Sequence, residues 1–149
     1  MPINNEKSAS IFLYPNNVNN AIKLVEEAIA DEKNDEEFYN YLIMLAPNED
    51  EKAVISGIRN DEIKHYKMFK QVYYHLTNKP LTTLIENKFI PPANYKNALM
   101  MAIIGETDAV KKYRKILYAL EDRIYINMLI EIITDELHHG ILYNALLSI

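Results

Sequence analysis

Four long segments of the chain place apolar residues at alternating steps of three and four. Each stripe is broken near its middle by a charged side chain. The first segment, Asn16 to about Ala46, steps through Ile22, Val25, Ile29, Tyr39, Leu42 and Ala46, and passes through Glu32 and Asp35 or Glu36 on the way. The second, about Glu49 to Leu76, reads Ile55, Ile58, Glu62, His65, Phe69, Val72, Leu76. The third, about Ala93 to Leu120, reads Leu99, Ala102 or Ile103, Glu106, Val110, Tyr113, Leu117, Leu120. The fourth, about Asp122 to Leu147, reads Tyr125, Leu129, Ile132, Glu136, His139, Tyr143, Leu146. This spacing predicts four amphipathic helices whose apolar faces pack together, an all-α four-helix bundle.

The intervening stretches set the connections. Residues 1–15 are polar, with Pro2 and Pro15 as breakers, and are expected to be irregular. Ala46-Pro47-Asn48-Glu49 reads as a turn, with Asn48 and Glu51 placed as a capping box. From Thr77 to about Asn94 no period holds, although Leu81 to Ile85 is expected to form a short helical piece. About 15 residues at roughly 3.3 Å each can run the length of a helix near 40 Å long. A crossover between the second and third helices is therefore expected, rather than a tight hairpin.

The interruptions repeat. A shift of 74 residues lays Glu32 on Glu106, Tyr39 on Tyr113, Asp61 on Asp135, Glu62 on Glu136 and His65 on His139. The pattern predicts an internal repeat of a helical hairpin, about 20–76 and 94–149. Within each copy, Glu-x-x-His puts both side chains on one helix face. One such pair is ordinary on a solvated helix. Two bland alternatives are buried Glu–His ion pairs without metal, and misphased stripes that leave these residues on the surface. Both are weakened by the pattern occurring twice at equal spacing, because burying four carboxylates costs several kcal/mol apiece unless they are paired or metal-bound.

Composition narrows the class. At 149 residues the chain is expected to form one domain, with 49% apolar residues and only three glycines. A net charge of −5 argues against a nucleic-acid or anionic-membrane partner. No run reaches the roughly 18–20 apolar residues of a membrane span, and no secretory leader is visible, so the cytoplasm is the expected compartment. Without cysteine there is no thiolate-held zinc or iron–sulfur cluster.

Two helices giving one Glu each and two giving Glu-x-x-His form the ligand set of carboxylate-bridged di-metal sites in helix bundles. Carboxylates can bridge two cations. One imidazole per ion suits iron or manganese better than calcium. Four carboxylates and two neutral imidazoles balance two divalent cations to zero net charge.

Glu32-(six residues)-Tyr39 with Glu62-Ile63-Lys64-His65, and Glu106-(six residues)-Tyr113 with Glu136-Leu137-His138-His139, resemble the ferritin-like superfamily. Tyr39-Asn40-Tyr41 and the short chain resemble its rubrerythrin-like branch most closely. The resemblance covers about residues 20–147. It implies Glu32, Glu62, His65, Glu106, Glu136 and His139 as ligands of two iron ions (manganese as the alternative), with Glu62 and Glu136 as bridges. It implies that Tyr39 and Tyr113 hydrogen-bond ligand carboxylates, and that Asp61 and Asp135 accept from the His on the opposite helix. Reduction of hydrogen peroxide or dioxygen in oxidative-stress defence is the activity implied. Ferroxidase, manganese catalase and a non-catalytic iron-binding protein are alternatives, and pairing into a homodimer is a family habit.

Two departures bear on this expectation. Rubrerythrins usually carry a cysteine-ligated rubredoxin-type domain, so an external electron donor is expected here. They also carry a Glu three residues after the third-helix ligand, where this chain has Ala109; the repeat position holds Asp35, followed by Glu36, either a seventh ligand or a surface carboxylate. Tyr66 and Tyr143 lie close to ligand histidines and are either redox-active or packing residues. Met44, Met68, Met100, Met101 and Met128 read as core filler, and His138 as exposed.

Overall fold

The computed structural model describes residues 18–84 and 87–148. The described residues are all helical apart from turns and one long connection, and they form α1 (Val18–Asn34), α2 (Glu36–Leu45), α3 (Glu49–Thr77), α4 (Tyr95–Leu117) and α5 (Arg123–Leu147). The expected irregular segment 1–15 lies outside them.

The first expected helix is split. The chain remains tightly wound at the junction, where Asp35 N–H donates to the Asp31 carbonyl at 2.8 Å. Asn and Asp compete with helical backbone through their side chains. Asn34 also ties the junction to the α3–α4 connection, its Oδ1 accepting from the Asn87 backbone N–H at 3.3 Å. The other boundaries follow local chemistry. Asn48 caps α3 by accepting from Glu51 N–H at 2.9 Å, and Asn94 caps α4 by accepting from Asn97 N–H at 2.9 Å. α3 ends at Asn78, whose φ of 55° is the left-handed cap that Asn tolerates.

α1 and α2 form one arm of a four-armed bundle with α3, α4 and α5, with two apolar clusters stacked along it. One joins Val25, Ala28 and Ile29 of α1 to Phe69 and Val72 of α3, Tyr113 and Ile116 of α4, and Leu129 and Ile132 of α5. The other joins Tyr39 and Leu42 of α2 to Ile55 and Ile58 of α3, Leu99 and Ala102 of α4, and Tyr143 and Leu146 of α5. Glu32, Glu62, His65, Glu106, Glu136 and His139 fall between these clusters in sequence on every arm. No helix among the described residues is long and apolar enough to cross a membrane.

The described residues of the connection between α3 and α4 form no regular element. Residues 81–84 are not helical, in contrast to the expectation for Leu81 to Ile85; residue 85 lies outside the described residues. Leu81 and Leu84 instead lie against the first cluster. Farther along, Phe89 packs edge-on to Tyr41, and the Tyr41 hydroxyl donates to the Pro92 carbonyl at 3.1 Å. The methionines divide. Met68 is buried, but Met44, Met100 and Met101 are exposed, because they fall outside the inward stripes of their helices.

Candidate metal centre

Glu62 and His65 project from one face of α3, and Glu136 and His139 from the matching face of α5. Glu32 comes from the last turn of α1 and Glu106 from mid-α4. All six are buried, between 0% and 9% exposed. Their ligating atoms gather into two quartets, Glu32, Glu62, His65, Glu136 and Glu62, Glu106, Glu136, His139, each with one atom per residue within 4.8 Å of the others. Glu62 and Glu136 belong to both. The surface alternative for these residues therefore does not hold.

The two imidazoles are held alike. His65 Nε2 lies 3.1 Å from Asp135 Oδ2, and His139 Nε2 lies 3.2 Å from Asp61 Oδ2. Each contact crosses between α3 and α5. A carboxylate only accepts, so the proton sits on Nε2 and Nδ1 faces the cluster. The rings stack with centroids 5.9 Å apart. His65 Nδ1 is 3.2 Å from both Glu62 and Glu136. His139 Nδ1 is 2.9 Å from Glu62 Oε1, but not in hydrogen-bonding geometry.

The halves differ at their tyrosines. Tyr113 donates to Glu32 Oε1 at 2.9 Å. Tyr39 is buried, yet its hydroxyl makes no corresponding bond to Glu106 among the described residues, which corrects the expectation for that residue. The difference has a local source. Tyr113 follows Glu106 on one unbroken helix, whereas the junction at Asn34–Asp35 separates Tyr39 from Glu32. Tyr39 instead packs edge-on against Phe38. Tyr143, one turn beyond His139, is fully buried with an unpartnered hydroxyl.

The electrostatics are those of a crowded acid cluster. Burial and the neighbouring Glu62 push Glu32 well above the usual carboxylate range. Burial and Glu136 do the same to Glu106. Burial would raise Glu62 too, but His139 and His65 beside it prevail and hold it low. Burial opposes the charged imidazoles, yet Glu136 and Glu62 hold His65 up to about 10, and Glu106 and Glu62 hold His139 up to about 11.

A cluster made only for ion pairing would need as many donors as acceptors. Here two Nδ1 groups, the Tyr113 hydroxyl and the protons that Glu32 and Glu106 retain face the eight oxygens of four carboxylates, and Glu62 Oε1, Glu136 Oε1 and His139 Nδ1 are buried outside hydrogen-bonding geometry. Leaving such atoms unpaired costs about 1–3 kcal/mol each. Converging oxygen and nitrogen atoms with too few protons to share are what cations satisfy, so the residues fit a metal.

Two cavities reach this cluster on either side of the α1–α2 arm. One, of about 380 Å³, lies toward α4 and is lined by Glu106, Asp31 and Asp35 among others. The second, of about 290 Å³, lies toward α3 and reaches Glu32 and Glu62 beneath a rim containing Lys33, Arg59 and Lys67. Asp35 keeps solvent contact at the first rim, but burial against the wall, Asp31 and Glu62 raise it to about 7 despite Lys112. It stands outside both ligand quartets. Glu36 is exposed and paired with Lys33 at 2.6 Å. His138 is exposed, as expected. The cavity residues Phe38, Met101 and Gly105 were not candidates from sequence; the only signal is the small residues Ala102, Gly105 and Ala109 around Glu106. No family model, curated protein or solved structure matches the chain.

Proposed function

We propose that the chain is a ferritin-like, rubrerythrin-like oxidoreductase that holds two iron ions and reduces hydrogen peroxide or dioxygen. The ligands in this reading are Glu32, Glu62, His65, Glu106, Glu136 and His139. The observation that carries it is the excess of buried acceptor atoms over donors where the two quartets share Glu62 and Glu136. Sharing makes these two the bridges. Iron rather than manganese follows from the resemblance of the ligand motifs. When bound, two ferrous ions supply two electrons, the number consumed in cleaving one O–O bond.

The protein's own part is to prepare the ligands. Asp135 and Asp61 fix the tautomers of His65 and His139, so each presents a lone pair from Nδ1. Tyr113 orients Glu32. The apolar clusters above and below close the cluster off along the bundle axis. In this reading the fold has the ferritin-like crossover. Its support is that the C-terminal halves of α3 and α4 share one cluster and their N-terminal halves the other, which makes these helices parallel. Further support comes from Leu81 packing on the first cluster, Asn87 N–H donating to Asn34 at the end of α1, and Phe89 packing on Tyr41 of α2. A separate protein supplies electrons, in the cytoplasm.

A second reading, in which iron is the substrate of a ferroxidase, is favoured by the carboxylates Asp31, Asp35 and Asp108 around the cavity above Glu106. Stopped-flow absorbance of the ferrous-loaded protein separates the two. Rapid oxidation by peroxide supports the reductase. Faster oxidation by dioxygen with repeated iron uptake supports the ferroxidase, and reaction with neither overturns both.

A further inference from the structure

The cavity toward α4 is far larger than either oxidant named above requires. Its volume of about 380 Å³ is about a dozen times the roughly 30 Å³ share of one water molecule. It falls within the range of sites that enclose small organic molecules, roughly 300–1,000 Å³. Its chemistry is layered. Glu106, on the candidate metal cluster, forms its floor. Phe38, Met101, Ala102 and Ala109 supply apolar walls. The rim holds Asp31, Asp35 and Asp108 against Lys112, which is itself ion-paired to Asp31. Such a rim disfavours an anion, and the apolar walls beneath it favour an uncharged organic body over a hydrated cation.

We infer that this cavity binds the body of a neutral organic hydroperoxide, of aryl or branched-alkyl type, with its O–O group directed at the Glu106 side of the cluster. The inference rests on the peroxide-reducing reading above and names its substrate class. The balance adds no new reactant: two electrons and two protons break the O–O bond of ROOH and yield one alcohol and one water. Hydrogen peroxide, being small, can also reach Glu32 and Glu62 through the second cavity.

Gly105 gives a clean test. It lines the cavity on a helix, and a Cβ built there meets no heavy atom within 4 Å. Gly105→Leu therefore fills the cavity while favouring the helix. The probe is 2-phenyl-2-propanol, the alcohol left by cumene hydroperoxide, titrated into the full chain without metal and followed by NMR. Saturable shifts at Ala102, Gly105, Ala109 and the Met101 methyl are expected, with affinity at least tenfold weaker in Gly105→Leu. Met101→Glu, at an exposed position, should weaken binding several-fold without touching the core. Absence of saturable shifts, or equal affinity in both variants and the parent chain, overturns the inference. With ferrous-loaded protein, Gly105→Leu should slow oxidation by cumene hydroperoxide at least tenfold and leave oxidation by hydrogen peroxide unchanged. Equal slowing of both overturns the inference. If hydrogen peroxide fails to oxidise the parent protein, the di-iron reading falls, and the NMR titration still decides the cavity.

Discussion

Glu51 and Glu62 lie on the same helix, three turns apart, and are equally withdrawn from water at 6% and 4% exposed. Their surroundings differ completely. Glu51 Oε2 accepts from the Tyr95 hydroxyl at 2.7 Å and Oε1 from Asn48 Nδ2 at 2.9 Å. It also sits in the first turn of α3, where the helix dipole favours a negative charge. Glu62 sits mid-helix beside Glu32, Glu106 and Glu136, with one oxygen lacking any hydrogen bond. Burial of a carboxylate is thus no mark of a metal ligand; Glu51 is buried and complete. A shortage of donors is the mark, and it occurs at the bundle centre.

The contrast can be broken most forcefully at the shared carboxylates. Glu136→Ala should lose both metal ions, as read by metal analysis of the purified variant, because Glu136 belongs to both quartets. Retention of both ions would remove Glu136 as the bridge. Asp135→Asn takes the accepting carboxylate from His65 Nε2 and should weaken metal affinity about 10–100-fold, measured by competition with a chelator.

Proton linkage offers a third test, on metal-free protein. His65 and His139 are raised from 6.5 to about 10 and about 11 by their carboxylate neighbours. A raised imidazole contributes stability that is complete below the unfolded value and is lost as pH climbs through the folded one. Glu32 and Glu106, also raised, push the same way, since ionising them opposes the fold above pH 4.5. The urea midpoint of the metal-free protein should therefore fall steadily between pH 6.5 and 10. A flat profile would show that the cluster is not coupled as described.

Glu51 supplies the opposite control. Glu51→Ala should cost about 1–2 kcal/mol in denaturant unfolding, through the lost bonds to Tyr95 and Asn48, with metal content unchanged. The smallest effect separates the two tyrosines. Tyr113→Phe should cost about 1 kcal/mol, and Tyr39→Phe close to nothing, because of the two tyrosines Tyr113 alone bonds a cluster carboxylate among the described residues.

Much of this organisation was legible in the sequence. The four stripes and the six interrupting side chains share the helical period, so the residues that break the pattern are those that meet inside. The gathering of Glu32 with Glu62, and of Glu106 with Glu136, followed from the repeat. What period cannot carry was missed. A one-residue interruption at Asp35 leaves the stripe intact, and so Tyr39 was matched to Tyr113 although it makes no matching bond to Glu106 among the described residues. Leu81 and Leu84 suggested a helix, but they sit in a non-helical stretch whose apolar side chains pack on the first cluster. Met44, Met100 and Met101 are apolar by type and exposed by position. The cavity arises from what Ala102, Gly105 and Ala109 lack, and small side chains leave no period behind.

The central claim is that a pair of metal ions completes the donor-poor cluster at Glu62 and Glu136. Metal analysis after anaerobic loading with ferrous iron and removal of excess tests it most directly. The account predicts two ions bound per chain, falling to none in Glu136→Ala and remaining two in Glu51→Ala. Metal content near zero in the parent chain, or loss in Glu51→Ala equal to that in Glu136→Ala, would contradict it.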